Sequence, residues 1–162
     1  VYGLLENGSK VLVITTELTT RGWIEQMESI GYPITEYIAS GRLLVFSRYG
    51  VIAEPKQGVN LFDVLDSEAV EKADVVVVDS ASSLLPTGLD TVEQQEILQK
   101  LRRICSESRS LLLTMDPSEM DDQLLHKMRS SCEVLLDMKA GFVGGFVSRT
   151  SSTGSTMPRP MK

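Results

Sequence analysis

The chain has 162 residues, 42% of them hydrophobic, and a formal net charge of −6. That length and apolar content suit one domain with its own core. The acidic balance argues against a nucleic-acid surface, because the one basic cluster, Lys100, Arg102 and Arg103, sits among acids.

Val1 to Asn7 reads as the last turns of a helix, with Asn7-Gly8 as its stop. Residues 10–16, KVLVITT, are apolar on both faces, as in a parallel sheet covered on both sides. A helix follows over 20–30, with Trp23, Met27 and Ile30 on one stripe, and Gly31, Tyr32 and Pro33 end it. Residues 43–46 are a second strand and 49–59 a polar loop. Residues 61–71 are helical, with Leu61, Val64, Leu65 and Ala69 inward. The clearest strand is 73–79, with four consecutive valines closed by Asp79.

A Ser/Pro/Gly loop leads to a helix over 91–107, whose stripe is Ile97, Leu101, Ile104 and Cys105. Residues 110–115 form another buried strand, Asp116-Pro117-Ser118 a turn, and 119–130 a helix with Met120, Leu124 and Met128 inward. The spacing predicts a terminal antiparallel pair, 133–139 and 142–150, turning at Ala140-Gly141. From 151 the chain is a polar tail with almost nothing to bury, so the expected organisation is a core over 1–150 and a flexible tail over 151–162. No apolar run approaches the ~20 residues that cross a bilayer. Cys105 and Cys132 fall on apolar positions and are expected to be buried free thiols of a reducing compartment, and His126 has no companion ligands for zinc.

Strands separated by single helices imply an α/β fold with a mostly parallel sheet flanked by helices. Ligands of such folds bind at the carboxyl ends of the strands. Asp79 stands at such an end. It suits either a Walker B carboxylate, which holds the Mg²⁺ shell beside nucleotide phosphates, or the N-cap of the following turn. Glu17 ends another strand. It can orient and deprotonate an attacking water, or simply cap the next helix. Ser80 can contact phosphate or metal-bound water, while Ser82 and Ser83 read better as turn formers. Thr114 and Asp116 end a third core strand, where a γ-phosphate sensor would stand; the turn at Pro117 explains Asp116 almost as well. Arg149 can reach a neighbouring subunit's phosphate or form a surface ion pair.

Four segments, GLLENGSKVLVITTE, QMESIGYPITEYIASGRLLVF, ADVVVVDSASSLL and LLLTMDPSEMDDQLLHKMRSSCEVLLDMK, occur in this order. Together they resemble the RecA/KaiC-like ATPases, and within them the accessory ATPase of the archaellum, the archaeal flagellar motor. The resemblance implies a RecA-like core that binds ATP with Mg²⁺, a homo-oligomeric ring, and a cytoplasmic regulatory role. It also implies docking on the archaellum motor ATPase and a membrane-anchored scaffold protein, without nucleic acid or direct membrane insertion. Carried over, Glu17 matches the catalytic glutamate, Asp79 the Walker B aspartate, and Arg149 loosely the basic positions near a subunit boundary. Two other readings are a KaiC-like ATPase of another signalling or recombination system, and a RecA-fold interaction module that binds no nucleotide. The phosphate-loop string GxxxxGK[ST] is absent from the 162 residues. The N-terminal P-loop unit is therefore expected to be missing from the chain, its loop lying ~10–15 residues before Val1.

Overall fold

The structure, a computed structural model, describes residues 1–49, 60–86, 88–107, 109–143 and 146–155, with backbone alone for Phe62 and 139–155. The chain divides into two compact units, Val1–Asp121 and Asp122–Lys162.

The first unit begins with helix α1 (Tyr2–Glu6) and strand β1 (Val11–Thr15). Helices α2 (Thr20–Ser29) and α3 (Thr35–Ala39) lead to β2 (Leu43–Ser47). Helices α4 (Leu61–Leu65) and α5 (Glu68–Lys72) lead to β3 (Val75–Asp79), and α6 (Thr91–Ser106) to β4 (Ser110–Leu113). The four strands form one sheet in the order β2-β1-β3-β4, every pair parallel. All five β1 residues are buried, and so are Val75 to Val78 of β3. Such continuous burial is what a central parallel strand with helices on both faces requires.

The side chains of β1 and β3 alternate between two cores. Leu12, Ile14, Val76 and Val78 pack with Leu61, Leu65, Val70, Ile97 and Ile104 from α4, α5 and α6. Val11, Val13, Val75 and Val77 pack with Leu5, Trp23, Ile34 and Leu43, and with Tyr37 and Ile38 of α3. The connection leaving β1 thus covers one face, and the connection leaving β3 covers the other. Where such connections diverge between neighbouring strands, a crevice opens at their carboxyl ends.

Some local expectations change. The helix expected over 61–71 is two short helices broken at Asp66-Ser67, where Ser67 takes the extended geometry of an N-cap. Helix α3 is additional, a single turn and a half whose first turn carries Glu36. Ile30 lies just past α2 and is 60% exposed. The α6 stripe runs through Gln94, Ile97, Leu98 and Ile104, so Cys105, one step further round the helix, is exposed. Cys132 is half-buried, and neither cysteine forms a disulfide. The loop expected over 49–59 lies outside the described residues except for Tyr49.

In the second unit, α7 (Asp122–Ser131) buries Leu124, Leu125 and Met128. Met120 precedes this helix and is only half-buried. Strands β5 (Val134–Val143) and β6 (Phe146–Ser155) pair antiparallel from Val134↔Ser155 to Val143↔Phe146. The hairpin connection therefore falls after Val143, not at Ala140-Gly141, because both of those residues are paired in the ladder. β6 reaches Ser155, five residues into the stretch read as a polar tail; 156–162 lie outside the described residues. Among the described residues no helix is long and apolar enough to cross a membrane.

Candidate functional site

The register brings three strand ends level. Thr15 pairs with Ser47 on one side and with Asp79 on the other, and Val78 pairs with Leu113, one residue before Thr114. Glu17, Asp79, Ser80, Thr114 and Asp116 line one open depression of about 460 Å³, together with Met115, Pro117 and Glu119. Five of the six residues singled out in the sequence thus meet at the carboxyl edge of the sheet. Arg149 lies on β6 of the second unit, opposite Ala140 in the ladder, and its side chain is outside the described residues.

Glu17 is exposed and caps no helix. The α2 cap is Thr19, whose hydroxyl accepts the Gly22 N–H at 3.0 Å. Thr15 instead holds the loop around Glu17: its hydroxyl oxygen accepts the N–H groups of Glu17 and Leu18 at 3.3 and 3.2 Å. Asp79 is half-buried, and its Oδ1 accepts a short hydrogen bond from the Thr114 hydroxyl. Asp116 does serve its turn, since its Oδ1 accepts from the Ser118 N–H at 2.8 Å and the Ser118 hydroxyl at 2.7 Å. Those two bonds hold the Asp116 carboxyl below the usual carboxylate range.

Three further residues shape the site. Thr16 is buried; its hydroxyl oxygen accepts the Ser80 N–H at 2.8 Å and lies 3.2 Å from the Ser80 carbonyl oxygen. It thereby pins the turn leaving β3 to the end of β1. The Asp79–Ser80 peptide within that turn is cis. Ser82, read from sequence as a turn former, is buried and joins Ser80 to Glu119. Glu119 carried a signal of a different kind, the D-x-x-E spacing of a capping box after Asp116. The fold turns its carboxylate towards Ser82 instead, at 2.9 Å. Beside the depression, Arg48 donates from Nη1 to the Ser83 carbonyl at 2.9 Å and ties the end of β2 to the same turn.

Among the described residues that line the depression, the charged side chains are all carboxylates. Carboxylates only accept hydrogen bonds. The Thr114 hydroxyl is committed as a donor to Asp79, so its oxygen meets the solvent as an acceptor. Hard oxygen acceptors of this kind fit a divalent cation such as Mg²⁺, which keeps several waters and takes few protein ligands. They do not fit phosphate oxygens, which need donors. A second depression, of about 390 Å³, lies at the opposite, amino edge of β3 and β4. Arg109 there is paired with Glu107 and with the Glu71 carbonyl.

No protein-family model matches the chain. Among curated proteins, the archaeal flagellar ATP-binding protein FlaH of Methanocaldococcus jannaschii is 30% identical over 145 residues, covering 89% of this chain. FlaH of Sulfolobus acidocaldarius is 26% identical over 166 residues, covering 95% of this chain and 70% of that protein. The crystal structure of the flagellar accessory protein FlaH from M. jannaschii superposes with a TM-score of 0.81 at 28% identity, covering 94% of this chain. This chain is similar to archaeal FlaH over most of its length. The likeness to FlaH extends over both compact units, and it agrees with the parallel α/β sheet described above. The chain spans 62% of the length of the M. jannaschii FlaH sequence, 63% of that from Methanococcus voltae, and 68% of the FlaH crystal chain.

Proposed function

We propose that this chain is the strand-end half of an ATP-binding site in an archaeal flagellar accessory protein. One observation carries the reading: Glu17 and Asp79, two strand-terminal acids 62 residues apart, line one crevice in a chain related to proteins named as flagellar ATP-binding FlaH. In this reading Asp79, oriented by Thr114, holds the hydration shell of Mg²⁺ beside the phosphates, and Ser80 contacts that shell. Glu17 orients and deprotonates a water aimed at the γ-phosphate. The phosphate donors come from elsewhere, consistent with an edge whose described charged side chains are all carboxylates and with the absence of GxxxxGK[ST] from these 162 residues.

The surroundings of the site belong to the same proposal. The protein works as a homo-oligomeric ring with Arg149 near a subunit boundary, and it docks on the archaellum motor ATPase and its membrane-anchored scaffold on the cytosolic side. The acidic balance favours this setting over a recombination ATPase with DNA-binding loops.

Thermal melting of the intact encoded polypeptide carrying these residues tests the reading. At ATP about 100-fold above Kd with Mg²⁺, the native state gains about 2.7 kcal/mol. The melting temperature should rise accordingly, and Asp79→Ala should abolish the Mg²⁺-dependent part. An unchanged melting temperature with Mg-ATP would sink the nucleotide reading and leave an interaction module that keeps the fold.

A further inference from the structure

The hydrogen bonds around Ser82 have only one consistent direction. Glu119 Oε2, 2.9 Å from Ser82 Oγ, is a carboxylate oxygen and can only accept, so the Ser82 hydroxyl donates to it. The Asp116 N–H, 3.3 Å from the same oxygen, can only donate, so Ser82 Oγ accepts from it. A hydroxyl has a single proton, and that of Ser82 is committed to Glu119. The 2.6 Å contact between Ser80 Oγ and Ser82 Oγ must therefore run from Ser80 to Ser82.

We infer that Glu119, acting through buried Ser82, fixes Ser80 as a hydrogen-bond acceptor towards the crevice, so that Ser80 receives a cation-bound water and not a phosphate oxygen. Glu119 is a positioning residue, and the inference rests on the Mg-ATP reading of the site. Remove the carboxylate, and the Ser82 proton is free to point at Ser80. The Ser80 hydroxyl then turns its own proton outward, towards the ligands of the cation, where a donor repels what an acceptor held.

The test is a Mg²⁺ titration of the intact protein at saturating ATP, read as the rise in melting temperature, beside ATP binding measured in EDTA. Glu119→Ala should raise the half-effective Mg²⁺ concentration about tenfold, the scale of one hydrogen bond to a charged centre, and leave metal-free ATP affinity unchanged. Glu119→Gln should stay within about twofold of the parent. Its amide carbonyl still accepts from Ser82, whose oxygen already receives the Asp116 N–H. In a Ser80→Ala background Glu119→Ala should add nothing further. Equal weakening by Glu119→Ala and Glu119→Gln would mean a charge effect and overturn the relay. So would no weakening by either, or full additivity with Ser80→Ala. A parent protein without any Mg²⁺-dependent response overturns the nucleotide reading itself, a result distinct from a responsive parent whose variants fail.

Discussion

At the scale of single residues, the site is organised by where protons are committed. Thr114 donates to Asp79, Ser82 to Glu119, and the Ser118 hydroxyl and N–H to Asp116. Each carboxylate is thereby oriented by a neighbour close in space. Asp116 illustrates this. Its pKa lies below the ordinary value because the Ser118 hydroxyl and then the Ser118 N–H favour the charged form. A depressed acid adds stability that is complete above its unfolded pKa and is lost as pH falls through the folded one. The loss of that stability is therefore confined to acid pH, between the ordinary aspartate pKa and the lower folded one. In an NMR titration, Ser118→Ala should move the Asp116 midpoint upward, and a midpoint that stays put would show that the Ser118 hydroxyl does not hold it.

At the scale of elements, α6 shows which interactions stabilise the unit. Its N-terminus carries a full capping box: Asp90 Oδ1 accepts the N–H groups of Val92 and Glu93, both at 2.8 Å, and Glu93 Oε2 accepts the Asp90 N–H at 2.8 Å. Its apolar stripe reaches the core at Ile97, which is 1% exposed. Cap and core contribute unequally. Asp90→Ala should cost about 1 kcal/mol in urea unfolding, whereas Ile97→Ala should cost about 2–5 kcal/mol, because a cavity is left between α6 and β3. A cap variant as costly as the core variant would mean that α6 is held mainly by its end.

At the scale of the whole molecule, the order β2-β1-β3-β4 places the two strands with the strand-end acids at the centre of their sheet. β1 is hydrogen-bonded on both edges, to β2 and β3, and β3 to β1 and β4. β2 and β4 are edge strands of that sheet, and Leu44, Phe46 and Leu112 on them are 39%, 51% and 51% exposed. Native-state hydrogen exchange should therefore be slowest for amides of Val11–Thr15 and Val75–Asp79 and faster in β2 and β4. Equal protection across all four strands would show that the edges are covered in solution. The doubly paired centre thus carries the loops of the candidate site at its carboxyl edge.

The sequence by itself determined the strands of the parallel sheet and the acids at their carboxyl ends. Runs such as VLVIT and VVVVD can be satisfied only by burial on both faces, and that pattern is local. It did not reveal that 61–71 breaks in two, that Cys105 faces outward, or that the hairpin turns after Val143; those depend on a helix rotation or a register that a short window leaves free. What only the tertiary structure decided is adjacency. Nothing near Glu17 says that β1 lies beside β3, that Thr15 is level with Asp79, or that Ser82 meets Glu119 from 37 residues away. Strand pairing and hydroxyl direction are set by partners distant in the chain, and a hydrogen bond acquires its direction only when both ends are in place.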